Sequence, residues 1–256
     1  MAHYFASDVH LRFDRPDRDL RFSNWLTRLT PDDALLIAGD LCDFWMASRT
    51  RTKDLLRSDS LRRLAEFQRG GGTLSIMPGN HDAWLCPFYK HELGAHIVPD
   101  PIELTVFGVR LHVVHGHLLG SRHAWKSWLE GRQFFDRFGR IPHPIARALD
   151  IALIWNDDRT RTPDEERHLQ FFRRYASRFK GLADVVVIGH VHRAVDEPEA
   201  DPRMIVPGGW QAKTSFLKID ENGACLHVED DQHQPPIAPD IRPQTAGAHE
   251  ARRHED

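Results

Sequence analysis

Cysteine is scarce: the three residues, at 42, 86 and 225, form no C-x-x-C pair and no even set. That excludes a disulfide scaffold and fits a reducing compartment. Long apolar runs are missing as well. No stretch approaches the ~20 residues that span a bilayer. Neither sign of charge prevails, with 34 Lys and Arg against 37 Asp and Glu and a net charge of -3. A globally basic nucleic-acid-binding surface is thereby excluded, and no nucleic-acid partner is expected. The opening MAHYFASDVH meets a charge at Asp8, so it does not read as a signal peptide. What remains is a cytoplasmic globular chain of 256 residues, one large or two small domains. Histidine, by contrast, is abundant at 17 residues. Imidazole is the commonest metal ligand, which makes the spacing of these residues informative.

Short apolar runs recur, and each of several ends in a polar cluster. His3–Ser7 leads to Asp8, Ala34–Ala38 to Gly39-Asp40, and Thr73–Met77 to Pro78-Gly79-Asn80-His81. Leu111–Val114 leads to His115, and Asp184–Ile188 to Gly189-His190. Runs of this length and composition read as buried strands. Helical patterns separate the first three: Leu20, Trp25, Leu26 and Leu29, then Leu55, Leu56, Leu61, Leu64, Ala65 and Phe67. Strand–helix–strand alternation predicts parallel pairing and an α/β core. Further strands are predicted over Met204–Val206, Thr214–Ile219 and Ala224–Val228, the last two joined at the turn Asp220-Glu221-Asn222-Gly223.

The middle is different. Residues 121–180 show only helical patterns, over about Arg122–Arg137, Ile141–Trp155 and Pro163–Phe179. The third opens with Thr162-Pro163-Asp164-Glu165-Glu166, which places a capping residue, a first-turn proline and first-turn acids in order. This block reads as a helical cap inserted into a core of residues 1–120 and 181–231. Residues 232–256 are rich in Pro, His and charge and read as a disordered tail.

The polar residues at the strand ends form a set: Asp8 and His10, Asp40, Asn80 and His81, His115, and His190 and His192. Ligands of open α/β sheets bind outside the carboxyl ends of the strands. In D-x-H and H-x-H the two side chains lie on one side of an extended segment, so both can reach one centre. Carboxylate, amide oxygen and imidazole without thiolate suit a catalytic pair of Mn, Fe or Zn ions. Two such ions clamp an in-line phosphoryl displacement. His3, His96, His112 and His227 lie outside these clusters and read as structural or surface residues. Cys42 reads as a small buried residue and Trp210 as a turn anchor.

The ordered set DxH, GD, GNHD, H and GHxH, over residues 8–192, resembles the signature of the calcineurin-like metallophosphoesterase superfamily. The resemblance implies a four-layer α/β metallophosphoesterase sandwich, mixed β-sheets flanked by helices. It implies two divalent metal ions and hydrolysis of a phosphate ester or anhydride by a metal-bridging hydroxide. Carried over position by position, Asp8, His10 and His192 would hold one metal, and Asn80, His115 and His190 the other. Asp40 would bridge the two. His81 would sit near the leaving group as proton donor or phosphate clamp, and Asp82 would orient it through the other ring nitrogen.

Within the superfamily the chain is similar to the UDP-2,3-diacylglucosamine hydrolases of lipid A synthesis. The resemblance rests on GDLCDFW (39–45), DVHL (8–11), the helical insertion between HGH and GHVH, and PGGWQAKTSFLKID (207–220). It implies cleavage of a UDP-linked diacyl sugar to UMP and lipid X, with manganese. The better-known members carry GNRD and HGD where this chain has GNHD and HGH, the latter placing His117 beside the site. The cap carries thirteen Lys and Arg against eight Asp and Glu, interleaved with aromatics such as Trp125, Phe134 and Trp155. Such helices suit an anionic membrane surface or a nucleotide-linked lipid, and peripheral contact with the inner membrane is expected. Arg122, Lys126, Asn156 and Arg159, with His117, are the expected substrate contacts. The alternatives are a phosphoesterase for a soluble nucleotide or phosphoester, and a non-catalytic scaffold of the same fold. Oligomeric state is left open.

Overall fold

A computed structural model describes residues 1–12, 14–43, 55–119, 145 and 165–230. The first two helical patterns of the insertion, apart from residue 145, and the segment 231–256 lie outside the described residues.

The parallel strands expected from the apolar runs form. Strand β1 (His3–Ala6) pairs in parallel with β2 (Ala34–Ala38), and β2 with β3 (Thr73–Met77). Three short or exposed strands escape the sequence pattern: β4 (His96–Ile97), β5 (Ile102–Val106) and the three-residue β8 (Val195–Glu197). Strand β6 (Val109–Val114) pairs antiparallel with β5 and parallel with β7 (Val185–Ile188). Strands β8 (Val195–Glu197) and β9 (Arg203–Val206) follow, then the hairpin of β10 (Lys213–Asp220) and β11 (Gly223–Asp230). Asp220 sits opposite Gly223 at the predicted turn. The result is two mixed sheets, ordered β11-β10-β1-β2-β3-β4 and β5-β6-β7-β9-β8.

Side-chain alternation then builds the layers. Phe5, Leu36, Ala38, Met77 and Leu217 from the first sheet meet Leu111, Val113, Val185, Val187 and Ile205 from the second in one buried cluster. The opposite face of the first sheet is covered by helices α1 (Pro16–Leu26), α2 (Asp59–Arg69) and α3 (Cys86–His91). In α1 the buried apolar residues are Phe22, Trp25 and Leu26, while Leu20, expected on that face, is half-exposed. Trp210 does more than anchor a turn, because it packs fully buried, edge-on, against Phe22 and Trp25. Asp19 of α1 accepts from the backbone N–H groups of Asp59 and Ser60 at 3.0 and 2.9 Å. It thus supplies acceptors for the open N-terminus of its neighbour α2.

Helix α4 (Glu165–Ala176) is the last helix expected in the insertion. Its Leu169, Phe172 and Ala176 pack on Val114, Val186 and Ile188 of the second sheet. Helix, sheet, sheet and helix therefore stack as the four-layer α/β sandwich.

Candidate metal centre

Strands β1, β2 and β3, and β6 and β7 in the second sheet, run parallel within their sheets and deliver the polar motifs from their carboxyl ends. The local backbone is not the extended segment that D-x-H spacing suggested. Asp8, His10, Asp40 and His190 have φ of 55, 51, 54 and 68°. Positive φ is uncommon for residues with a side chain, and its concentration at four site residues marks a functional constraint. Glycine is required at two neighbouring positions. A Cβ on Gly79 would run into Asp40, and one on Gly39, itself at φ +93°, would run into the His115 ring.

The side chains converge. Nε2 of His10 lies 3.1 Å from Nε2 of His192, and Oδ1 of Asp8 lies 3.7 Å from each. Nε2 of His115 lies 3.1 Å from Oδ1 of Asn80 and 3.3 Å from Oδ2 of Asp40. Oδ2 of Asp40 is also 3.9 Å from Nε2 of His10, which puts this carboxylate between the two groups. Donor atoms of Asp8, Asp40, His115 and His190 lie within 4.8 Å of one another, as do those of Asp8, His10 and His192. Asp8 therefore takes part in both groups, a wider role than the sequence assigned it. A third grouping of His10, Asp40 and His81 adjoins them.

Two details test whether this set fits metal ions. Asp8 Oδ2 accepts from the His190 backbone N–H at 2.8 Å, and Asp40 Oδ1 from that of His81 at 2.9 Å. The other oxygen of each, Asp8 Oδ1 and Asp40 Oδ2, is buried without a hydrogen-bond donor. A buried carboxylate oxygen without a donor is costly unless a cation meets it. His115 supplies the second detail. Its Nδ1 lies 2.9 Å from the Ala38 carbonyl, which only accepts, so Nδ1 carries a proton and Nε2 is the nitrogen that would give its lone pair to a cation. The residues fit a pair of divalent ions.

Charge balance without metal is kept by protons. Burial opposes protonation of His10, yet the carboxylates of Asp43 and Asp8, each 3.7 Å from a ring nitrogen, outweigh it and push its pKa up to about 10. His115 also rises to about 10, with burial opposing and Asp40 driving the shift. Burial opposes ionisation of Asp8, but the surrounding imidazoles bring it down to about 2. Asp40 is held well below the usual carboxylate range by His81 and His115 in spite of burial.

The expected link between Asp82 and His81 is not made. Asp82 is fully buried and accepts from the backbone N–H groups of Leu41, Cys42 and Gly79 and from the Tyr89 hydroxyl. It joins the loops after β2 and β3 instead. Burial and the neighbouring Asp40 raise its pKa, only partly offset by those donors. The partner of His81 is Asp43, with Nδ1 and Oδ1 2.7 Å apart. Arg12 Nη1 stands 3.5 Å from the other oxygen of Asp43. Sequence reasoning passed over Asp43; its signal was the G-D-x-x-D spacing of residues 39–43. His117 is mostly buried, with its ring 5.2 Å from that of His115 and 6.4 Å from that of His190. Cys42 is the buried small residue expected. His112 is a buried structural residue, 2.9 Å from the Tyr175 hydroxyl. Arg122, Lys126, Asn156 and Arg159 lie outside the described residues.

Such convergence of buried carboxylates, amide and imidazoles at the strand ends of an α/β sandwich defines a dinuclear metal-dependent phosphohydrolase. Residues 2–194 match the calcineurin-like phosphoesterase family, and the chain belongs to it. A UDP-2,3-diacylglucosamine hydrolase of Hahella chejuensis is 25% identical over 88% of this chain and 96% of its own length. One from Pseudomonas paraeruginosa is 28% identical over 87% of this chain and 97% of its own. A solved structure described as a novel archaeal phosphodiesterase is 16% identical, with a TM-score of 0.46, over 89% of this chain and 99% of that one. Among the described residues no helix is long and apolar enough to cross a membrane.

Proposed function

We propose that this chain hydrolyses the pyrophosphate of UDP-2,3-diacylglucosamine to UMP and lipid X, a step of lipid A biosynthesis, with two divalent cations, manganese by preference. One observation carries the reading: the likeness to hydrolases of that name extends over 88% of this chain and 96% of the Hahella protein, not over the metal motifs alone. An alignment of that length takes in far more than the metal motifs, which supports a shared substrate as well as shared metal chemistry.

In this reading Asp8, His10 and His192 hold one cation, Asn80, His115 and His190 the other, and Asp40 touches both. The bound cations supply charge neutralisation at the phosphoryl oxygens and activation of water. His81 handles the proton. Its Nδ1 is fixed by Asp43, so Nε2, 3.9 Å from Asp40 Oδ2, points into the site and donates to the leaving oxygen. Asp82 holds the loop that carries Asn80 and His81 against the loop that carries Asp40. Arg18 of α1 donates to the His10 carbonyl and Arg21 to that of Trp210, whose own N–H meets the Asp8 carbonyl, which steadies the loop that bears Asp8 and His10. In the same reading the inserted segment takes the diacyl sugar, Arg122, Lys126, Asn156 and Arg159 are its proposed phosphate contacts, and the segment meets the cytoplasmic face of the inner membrane peripherally. His117 faces the same substrate.

The test is release of UMP from the lipid substrate in detergent micelles with manganese, beside a soluble diester, bis-p-nitrophenyl phosphate. Turnover of both supports the reading. Turnover of the soluble ester alone keeps the metal centre and removes the lipid assignment.

A further inference from the structure

A cavity of about 440 Å³ opens directly beside the metal centre, with His192 in its wall. That is within the range of small-molecule sites, about 300–1,000 Å³. The cavity and the metal centre share structure: the Gln211 side chain lines the cavity and its Nε2 lies 3.5 Å from the Asp8 carbonyl. Gly209 keeps this wall thin, because a Cβ there would strike the Gln211 amide and come within 3.0 Å of His192.

The cations of the wall each face a carboxylate, and Glu165 adds a negative charge. Lys213 pairs with Asp230 at 3.0 Å, and Arg193 lies 3.8 Å from Glu166. Such a wall offers little net attraction to a second phosphate. It offers an amide that both donates and accepts, beside a larger apolar surface to which Ala194, Ala212 and Val228 contribute. A flat, neutral, hydrogen-bonding group fits that chemistry. A planar heterocycle can lay its face on the apolar surface and its edge on the Gln211 amide, which an acyl chain would leave without a partner from the ligand.

On the basis of the reading given under Proposed function, we infer that this cavity seats the nucleoside of the nucleotide-linked substrate, while its phosphates lie on the metal centre next door. The diacyl sugar then extends to the other side of the metals.

The experiment is titration calorimetry on the full-length, manganese-loaded enzyme with three probes: UMP, inorganic phosphate and lipid X. Phosphate reports the metal centre alone. The wild type is expected to bind UMP at least about tenfold more tightly than phosphate. Ala212→Trp, which fills the cavity, should remove that margin and leave phosphate and lipid X binding in place. Val228→Trp, on a half-exposed edge-strand position, should do the same and serves if the first variant folds poorly. Equal binding of UMP and phosphate by the wild type overturns the inference. So does a variant that keeps the UMP margin, or one that weakens lipid X instead. The two proposals fail separately: an enzyme that shows the UMP margin but releases no UMP from the lipid substrate has a nucleotide site and a different substrate.

Discussion

The backbone N–H of His190 donates to Oδ2 of Asp8 at 2.8 Å, joining residues 182 apart in sequence. The first motif of the chain and the last are thus locked by a bond that leaves Oδ1 of the carboxylate facing His10 and His192. Asp40 and His81 repeat the device. In each, one oxygen accepts a backbone N–H and the other is buried without a hydrogen-bond donor.

Removing the shared carboxylate should therefore undo the centre. Asp40→Ala is expected to lose both metal content and activity, with metal measured by elemental analysis of the dialysed protein. A variant that keeps two metals and full turnover contradicts the placement of Asp40 between the two groups.

His81 and Asp43 should behave as a pair distinct from the ligands. His81→Ala should keep its metals and lose about 10²–10⁴ in kcat, the range for a proton-transferring group. Asp43→Asn should lose less, about 10–100-fold, as a residue acting through another. In the double variant the two losses should fall well short of multiplying, since Asp43 acts through His81. Steady-state kinetics with metal analysis on each variant checks this, and loss of metal from His81→Ala would show that it serves as a ligand.

Metal binding should release protons. His10 and His115 carry pKa values pushed up to about 10, so both are protonated at pH 7 without metal. Each must lose a proton to ligate, so about two protons should appear in solution per metal pair, with affinity rising with pH. The stability of the metal-free protein should move the other way. A raised histidine pKa contributes stability that is complete below the unfolded value near 6.5 and lost as pH rises towards 10. Chelator-treated protein should therefore melt lower at pH 9.5 than at pH 7. Calorimetry in buffers of differing ionisation enthalpy, with a melting series, tests both.

Much of this site was legible in the sequence because each motif follows an apolar run, and buried parallel strands put their ends on one rim. Strands β2 and β3 form over the residues anticipated. The two-residue β4 and the alternating, half-exposed β5 were not legible, since a brief or exposed strand has little apolar pattern. Left-handed backbone at Asp8 and His10 was hidden because no glycine announces it there. Asp43 was hidden because Asp82, adjacent to His81, looked like the nearer partner; the fold turns its carboxyl towards the loop amides instead.

Two substitutions probe the supports. Gly79→Ala places a methyl group against Asp40 and should weaken metal binding by about 10–100-fold, as when a ligand's support is lost. Phe172→Ala empties a fully buried position between α4 and the second sheet and should cost about 3–5 kcal/mol in urea unfolding. Unchanged metal affinity in the first, or unchanged unfolding in the second, contradicts these contacts.

The most direct measurement is UMP release from UDP-2,3-diacylglucosamine in micelles by the manganese-loaded wild type, with Asp40→Ala as control. The account predicts stoichiometric UMP and lipid X from the wild type and none from the variant. Hydrolysis of bis-p-nitrophenyl phosphate without UMP release from the lipid would contradict it.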